Sequence, residues 1–273
     1  MPLSVARRVN DDEASEMFGP VESLFLVEEM EIANGPRIRI YRPVSGELLP
    51  VLLYFHGGGW VVGSLDSHDG VARYLAKHSG ALVISVDYRL APEHPFPAAV
   101  DDARVALAWA HAYAPYIGGD ANRVAVAGDS AGGNLAAVVA RHARDLGIAL
   151  ALQLLVYPAL DSRLDRADPE SVWWLRQYLR TEADGLDPDA SPVLAPDLHG
   201  VAPAFILSCE LDPLVHQADD YAERLIEAGG EALHVSWPGL IHGAFRMPAV
   251  LPLARDMLDA GAAAVRVAFE PDA

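Results

Sequence analysis

The sequence predicts an α/β protein in which a mostly parallel sheet of about eight strands carries helices on both faces. Apolar runs of strand length alternate with helical patterns along most of the chain. The runs are continuously apolar, which is typical of strands that are buried on both faces. Hydrophobic residues make up 52% of the 273 positions, enough to build one large core. We therefore expect residues 1–273 to form a single domain.

The chain begins with an acidic, weakly patterned segment, residues 1–23, which is expected to form a short helix or to remain loose. Leu24–Ile32 and Arg37–Arg42 are predicted to pair as antiparallel strands, because the Asn34-Gly35 pair between them favours a tight turn. The other predicted strands are Val51–Phe55, Ala81–Asp87, Arg123–Gly128, Leu150–Tyr157, Ala204–Cys209 and Ala232–Trp237. The predicted helices are Ser67–His78, Ala98–Tyr113, Ala131–Leu146, Gln217–Ala228 and Leu251–Ala268.

Charge and composition exclude several classes of function. The net charge of −18 would repel nucleic acids and anionic membranes. The sequence has no 18-residue apolar run of the kind that spans a membrane, and its start lacks the apolar segment of a signal peptide. Cys209 is the single cysteine, so an internal disulfide is impossible. We expect a cytoplasmic protein that binds neither nucleic acid nor membranes.

The most informative motif is Gly128-Asp129-Ser130-Ala131-Gly132, which lies between a predicted strand and a predicted helix. A sharp strand-to-helix turn of this type raises a serine above the end of a sheet, where it can act as a nucleophile. The start of the following helix places N–H groups near developing negative charge. The alternative is a glycine-rich helix start without catalytic role.

A second glycine motif, His56-Gly57-Gly58-Gly59-Trp60, follows the predicted strand Val51–Phe55. Loops of this type supply backbone N–H donors for the oxyanion that forms when a serine attacks a carbonyl. The motif lacks the Lys-Ser/Thr pair of a phosphate-binding loop. It therefore favours acyl transfer over nucleotide chemistry.

With these motifs the chain resembles the hormone-sensitive-lipase-like esterases, the bacterial family IV of the α/β-hydrolases. The resemblance covers about residues 40–245. Its motifs, in that family's order, are His56–Trp60, Asp87–Ala99, Gly128–Leu135, and Asp212–Leu214 with Pro238–Gly243. Residues 1–23 and 162–189, the regions from which that family builds a cap, look shorter than usual, so we expect a reduced cap.

The resemblance implies a catalytic triad of Ser130, Asp212 and His242, in the chain order of α/β-hydrolases. His242 follows the last predicted strand, where this fold places its histidine, and would act as the base. Glu210 competes with Asp212 for the acid position because it is two residues earlier in an extended segment, but the Asp-Pro-Leu motif favours Asp212.

The resemblance also implies an oxyanion hole formed by the N–H groups of Gly58, Gly59 and Ala131. We expect a supporting role, without part in the chemistry, for His56, Asp129 and the Asp87-Tyr88-Arg89 segment. Apolar residues near these motifs and in residues 162–189 are expected to line the substrate pocket: Trp60, Trp173, Trp174, Tyr178, Leu214, Ile241 and Phe245. For the aromatic residues of 162–189, anchoring of the cap to the body is an equally good interpretation.

The predicted function is a serine carboxylesterase that hydrolyses short to medium acyl esters of small molecules through an acyl-enzyme intermediate, without cofactor or metal. The cluster of His216, Asp219 and Asp220 lacks the spacing of a metal site. Two alternatives stay open: an amide, carbamate or formamide hydrolase of the same fold, and a non-catalytic ligand receptor on a hydrolase scaffold. A homodimer is also possible from the sequence.

Overall fold

The computed structural model describes residues 2–46 and 48–270. Its centre is one sheet of eight strands in the order β1-β2-β4-β3-β5-β6-β7-β8. In chain order, β1 to β8 span Leu26–Glu31, Arg37–Arg42, Leu49–Phe55, Leu82–Asp87, Gly119–Asp129, Gln153–Val156, Ala204–Cys209 and Ala232–Trp237. β2 runs antiparallel to both β1 and β4, and the other neighbouring pairs are parallel. The predicted, mostly parallel eight-stranded sheet is confirmed.

Seven α-helices accompany the sheet in the described part of the chain. In chain order, α1 to α7 span Leu3–Phe18, Asp69–Ser79, Ala98–Tyr113, Ala131–Asp145, Pro169–Tyr178, Val215–Glu227 and Leu253–Ala268. The buried residues of α3, α4 and α6 belong to one hydrophobic core, and those of α2 and α7 belong to a second. The helices therefore cover both faces of the sheet, as predicted.

The apolar strands divide their side chains between these two cores. Along β3, Leu53 and Phe55 enter the core below α3 and α4, whereas Leu52 and Tyr54 enter the core below α2 and α7. All four side chains are fully buried. This explains why β3 is continuously apolar and does not alternate.

Some boundaries differ from the sequence-based expectation. β5 begins at Gly119, four residues before the predicted Arg123, because Gly119 and Asp120 already pair with β3 ahead of a register shift. β6 begins at Gln153 and not at Leu150. The acidic start of the chain, for which a short helix or a loose segment was expected, forms the 16-residue helix α1.

We expect Gly132→Ala to destabilise the fold by about 3 kcal/mol or more, because the added Cβ would lie 2.0 Å from the Phe55 carbonyl oxygen and force α4 away from β3. The control is Gly147→Ala, where the Cβ meets no atom within 4 Å and only the positive φ of 70° is unfavourable, at a cost of about 1 kcal/mol. Urea unfolding of both variants measures the difference. Equal losses would contradict the close-approach explanation.

Candidate active site

Ser130 lies at the sharp turn between β5 and α4. Its φ of 55° is a left-handed value that a non-glycine residue seldom adopts. The turn is possible because the flanking residues are glycines: a Cβ on Gly128 would lie 2.2 Å from the Gly132 carbonyl oxygen. The backbones thus approach closely, and the serine is held at the carboxyl end of the parallel strands.

Asp212 and His242 reach Ser130 from the loops that follow β7 and β8. His242 Nε2 lies 2.8 Å from Ser130 Oγ, and His242 Nδ1 lies 2.6 Å from Asp212 Oδ2. The Asp212 side chain is fully buried, and its other oxygen accepts the backbone N–H of Leu214 at 2.8 Å. The three side chains therefore form a continuous hydrogen-bonded chain.

Glu210, the alternative to Asp212, forms no hydrogen bond with His242, whose Nδ1 contacts Asp212. It is exposed, and its Oε2 accepts the backbone N–H of Gly239 at 2.8 Å. This bond supports the loop that carries His242. The structure thus brings Asp212, and not Glu210, to the imidazole.

The glycine loop that follows β3 lies beside the serine. Gly58 and Gly59 have positive φ values of 119° and 59°, and both line the same cavity as Ser130. Ala131 is the first residue of α4, where backbone N–H groups have no acceptor inside the helix. The three residues expected to form the oxyanion hole are thus next to the nucleophile in space or in sequence.

Asp129 ties the glycine loop to the serine turn. Its Oδ1 accepts the Gly57 N–H at 3.0 Å and the Tyr54 hydroxyl at 2.5 Å, and its Oδ2 lies 3.3 Å from His68 Nε2. Burial alone would disfavour the charged carboxylate, but the interactions with His68 and Tyr54 outweigh it and hold the pKa of Asp129 below its usual value. Asp129 therefore braces the site as a buried carboxylate.

His56 and Tyr88 brace the same loop from the other side. The His56 ring stacks on Tyr88 with 4.3 Å between ring centroids, and its Nδ1 donates to the Gly57 carbonyl at 2.8 Å. Tyr88 OH donates to the His56 carbonyl at 2.7 Å. These contacts agree with the supporting role expected for both residues.

A cavity of about 310 Å³ opens above the serine. Of the residues expected to line it, Trp60, Trp174 and Leu214 do so, together with the sequence neighbour Leu175. The Trp174 ring packs against Gly59 so closely that a Cβ there would lie 2.5 Å from it. α5 therefore closes one side of the cavity and contacts the glycine loop.

The structure places the other four expected pocket residues outside the lining. Tyr178 is fully buried and stacks on Trp60 at 4.1 Å between centroids, so it anchors α5 to the body. Phe245 is fully buried in the core that α7 covers. Trp173 and Ile241 point away from the cavity and are 47% and 46% exposed. Two of these apolar side chains are therefore packed inside the protein, and the other two lie partly at its surface. Spacing in the sequence alone could not distinguish either position from one in the lining of a pocket.

The sequence motifs missed several residues of the site, including the following four. Asn10, Tyr157 and Arg246 line the cavity, and His68 lies against Asp129. None belongs to a motif with a recognised spacing: Asn10 comes from α1, and Tyr157 from the loop after β6. Only the fold brings them together.

Two kinds of feature are missing from the part of the chain that the structure describes, namely a cluster of metal-binding side chains and a helix able to cross a membrane. Residues 2–46 and 48–270 contain no group of three or more His, Cys, Asp or Glu side chains placed to hold a metal ion. Among the same residues, no helix combines the length and hydropathy needed to cross a membrane.

A family model described as alpha/beta hydrolase fold (Abhydrolase_3) matches residues 52–246 of the chain. This chain belongs to the α/β-hydrolase family. The matched region includes the glycine loop, the serine turn and the loops that carry Asp212 and His242. The resemblance to hormone-sensitive-lipase-like esterases inferred from the motifs is thereby confirmed.

Several curated relatives and solved structures that resemble this chain are named as esterases. The carboxylesterase NlhH of Mycobacterium tuberculosis is 44% identical over 249 residues, which cover 85% of this chain and 78% of the relative. An ethyl acetate hydrolase of Pseudomonas putida is 40% identical over 268 residues, or 90% of this chain and 84% of the relative. The structure of a hyperthermophilic esterase from Pyrobaculum calidifontis superposes with a TM-score of 0.91 at 40% identity, covering 99% and 95% of the two chains.

We expect the stability of this α/β-hydrolase to fall as the pH drops from about 6.5 to about 4. Burial, together with the nearby His68, lowers the pKa of His56 to about 4, whereas an unfolded histidine titrates near 6.5. In that window the unfolded chain binds the proton and the folded chain does not. Each histidine of this kind therefore lowers the free energy of unfolding by up to about 1.4 kcal/mol for each pH unit of acidification in that window.

Urea unfolding at pH 7.5, 5.5 and 4 measures this slope. His56→Gln should flatten it, whereas His216→Gln, at an exposed position, should leave it unchanged. An unaltered slope in His56→Gln would assign the acid sensitivity to other groups.

Proposed function

We propose that the chain is a serine carboxylesterase in which Ser130, His242 and Asp212 hydrolyse short to medium acyl esters through an acyl-serine intermediate. The observation that carries the proposal is the continuous chain of hydrogen bonds from Ser130 Oγ to His242 and on to Asp212, at 2.8 and 2.6 Å. A carboxylic-ester hydrolase is also what the esterase relatives at 40–44% identity support.

The geometry supports the following steps. His242 Nε2 takes the proton of Ser130 Oγ as the oxygen attacks the ester carbonyl. Nδ1 keeps its proton because that proton is donated to Asp212, whose carboxylate then stabilises the imidazolium. Nε2 returns the proton to the departing alcohol, and water later releases the acid by the same route in reverse.

The oxyanion of each tetrahedral intermediate needs donors that are fixed in advance. We assign this role to the N–H groups of Gly58, Gly59 and Ala131. Asp129 supports it, since its bond to Gly57 N–H keeps the loop at a constant distance from the serine turn.

Replacing members of the triad should abolish ester hydrolysis while the fold persists. We expect Ser130→Ala and His242→Ala each to lower kcat by at least about three decades, because the members act as a unit. Asp212→Asn should be severe through the wrong histidine tautomer. Glu210→Gln is the matched control and should retain most activity. Hydrolysis of p-nitrophenyl butyrate measures all four, and near-native activity of Ser130→Ala would overturn the assignment.

The alternative of a non-catalytic receptor is tested by labelling with a fluorophosphonate, which reacts only with an activated serine. Stoichiometric labelling of the wild type, absent in Ser130→Ala, is the expected result. An anilide with the same acyl group tests the amide-hydrolase alternative, and we expect it to be cleaved far more slowly than the ester.

The size and walls of the cavity support a preference for short acyl groups. About 310 Å³ lies at the low end of the range of roughly 300–1,000 Å³ for small-molecule pockets. Trp174 and Leu175 line this cavity, so their side chains limit the space that is left for a longer chain. We therefore propose acetyl to butyryl esters as the best substrates.

Trp174→Ala should move this preference towards longer acyl chains, because each CH₂ group that it newly buries adds about 0.8 kcal/mol of binding. The matched control is Trp173→Ala, which removes the neighbouring indole outside the cavity. The kcat/KM values of p-nitrophenyl esters from C2 to C12 give the profile. A wild-type maximum at C8 or above, or equal shifts in both variants, would contradict the proposed role of Trp174.

We further propose that residues 1–273 form one domain with a reduced cap built from residues 1–23 and 162–189. The proposal is supported by α1, whose Arg7 donates to the carbonyls of Val61 and Ala91, and by α5 on the glycine loop. A homodimer and a cytoplasmic location stay predictions from the sequence, and sedimentation velocity would test the first.

A further inference from the structure

One wall of the cavity carries polar groups that the proposed triad does not use. Asn10, Tyr157 and Arg246 all line the cavity. Each has a buried polar atom without a hydrogen-bond partner among the described residues: Asn10 Nδ2, Tyr157 OH and Arg246 Nε. Buried polar groups of folded proteins are normally paired, so this concentration in one wall of a cavity indicates a ligand group.

All three atoms are hydrogen-bond donors. Arg246 Nη1 donates to Asn10 Oδ1 at 3.0 Å, and since a guanidinium has no acceptor, this contact must use the amide oxygen and leaves Nδ2 free. Burial raises the pKa of Tyr157 well above its usual value, so its hydroxyl keeps its proton. Three donors, one of them on a cation, match an anion with several acceptor atoms.

The acidic residues of the cavity leave Arg246 without an ion-pair partner, although its charge helps to hold the pKa of the buried Asp129 below its usual value. None of the described carboxylates lies within ion-pair distance of Arg246. The carboxylates of Asp129 and Asp212 already accept the hydrogen bonds described above. Asp161 pairs with Arg163, and Asp168 accepts the N–H groups that begin α5. Glu170 is exposed at the rim of the cavity.

The polar wall lies on the histidine side of the site. Arg246 is four residues beyond His242 in the short helix Ala244–Arg246, and the Tyr157 ring lies 4.8 Å from the imidazole between centroids. His242 gives its proton to the departing alcohol, so the alcohol part of the ester occupies that side.

We propose that Arg246, Asn10 and Tyr157 form a subsite for a carboxylate on the alcohol part of the ester, which makes O-acylated hydroxy acids the preferred substrate class. The proposal rests on the ester hydrolysis proposed above and adds the chemistry of the leaving group. A hydrogen bond to a charged group changes affinity by roughly ten- to a hundredfold, which sets the expected size of the preference.

Three esters of matched length test the subsite. Propyl butyrate is the neutral reference, 3-butyryloxypropanoate replaces the terminal methyl of its alcohol with a carboxylate, and monopropyl succinate replaces the terminal methyl of its acyl group. With a pH-stat, we expect the wild type to favour 3-butyryloxypropanoate over monopropyl succinate by at least tenfold in kcat/KM. The reverse order would overturn the placement on the alcohol side.

Two variants remove the subsite in different ways. Arg246→Gln deletes the cation, and Asn10→Asp supplies a carboxylate that pairs with Arg246 internally. Both should lower the ratio of kcat/KM for 3-butyryloxypropanoate over propyl butyrate at least tenfold, mainly through KM. Arg8→Gln, which removes an exposed arginine of the same helix as Asn10, is the control and should leave the ratio unchanged. An unchanged ratio in Arg246→Gln or Asn10→Asp would overturn the proposal.

Binding gives a readout that does not depend on catalysis. In the Ser130→Ala background, calorimetry should give a lower Kd for 3-butyryloxypropanoate than for propyl butyrate, and Arg246→Gln should remove the difference. Tyr157→Phe, which deletes only the hydroxyl, should reduce it about threefold. Equal Kd values for the two esters would overturn the subsite even if hydrolysis proceeds. Failure of the wild type to hydrolyse propyl butyrate, with the Kd difference intact, would overturn the proposed function alone.

Discussion

The close approach of α4 to the ends of β3 and β5 is the constraint on which the site depends. At Gly128 and Gly132 the neighbouring backbone lies where any Cβ would be, and between them Ser130 takes a left-handed φ. A larger residue at either glycine would move the helix, and with it both the serine and the N–H groups that begin α4. The 2.8 Å contact with His242 and the position of the glycine loop exist only because this packing is tight.

Asp129 links the serine turn to the glycine loop and so holds these two segments in a fixed position relative to each other. It is buried, yet it is surrounded by donors from Tyr54, Gly57 and His68, so its negative charge is stabilised and not merely tolerated. A carboxylate next to a nucleophilic serine suggests catalysis at first sight. Here its bonds run to the scaffold beneath the glycine loop, while the acid beside the histidine comes from a different strand.

The two elements outside the strand–helix alternation both converge on the glycine loop. α1 reaches it through Arg7, which donates to the carbonyls of Val61 and Ala91 and pairs with Glu93. α5 reaches it through Trp174 on Gly59 and through the stacked pair of Tyr178 and Trp60. The same two helices also provide Asn10 and Trp174 to the cavity, so elements that anchor the loop also shape the substrate space.

The sequence by itself determined the class of fold and the eight strands, because these depend on local periodicity. It also indicated Ser130 as a nucleophile, because one strand–turn–helix unit carries that motif. The choice of Asp212 and His242 came from the resemblance to a family, since each lies in a separate loop far from Ser130 in the chain. The tertiary structure alone decided which aromatic residues face the cavity. Trp173 and Trp174 are adjacent and chemically identical, but helix geometry turns only Trp174 towards Gly59. Tyr178 and Phe245 are fully buried and pack inside the protein, so neither lines the cavity. It also decided that Asn10, Tyr157 and Arg246 meet in one wall. They come from distant parts of the chain, and no local pattern encodes a contact between residues 10 and 246, which arises only when α1 packs against the loop that follows β8.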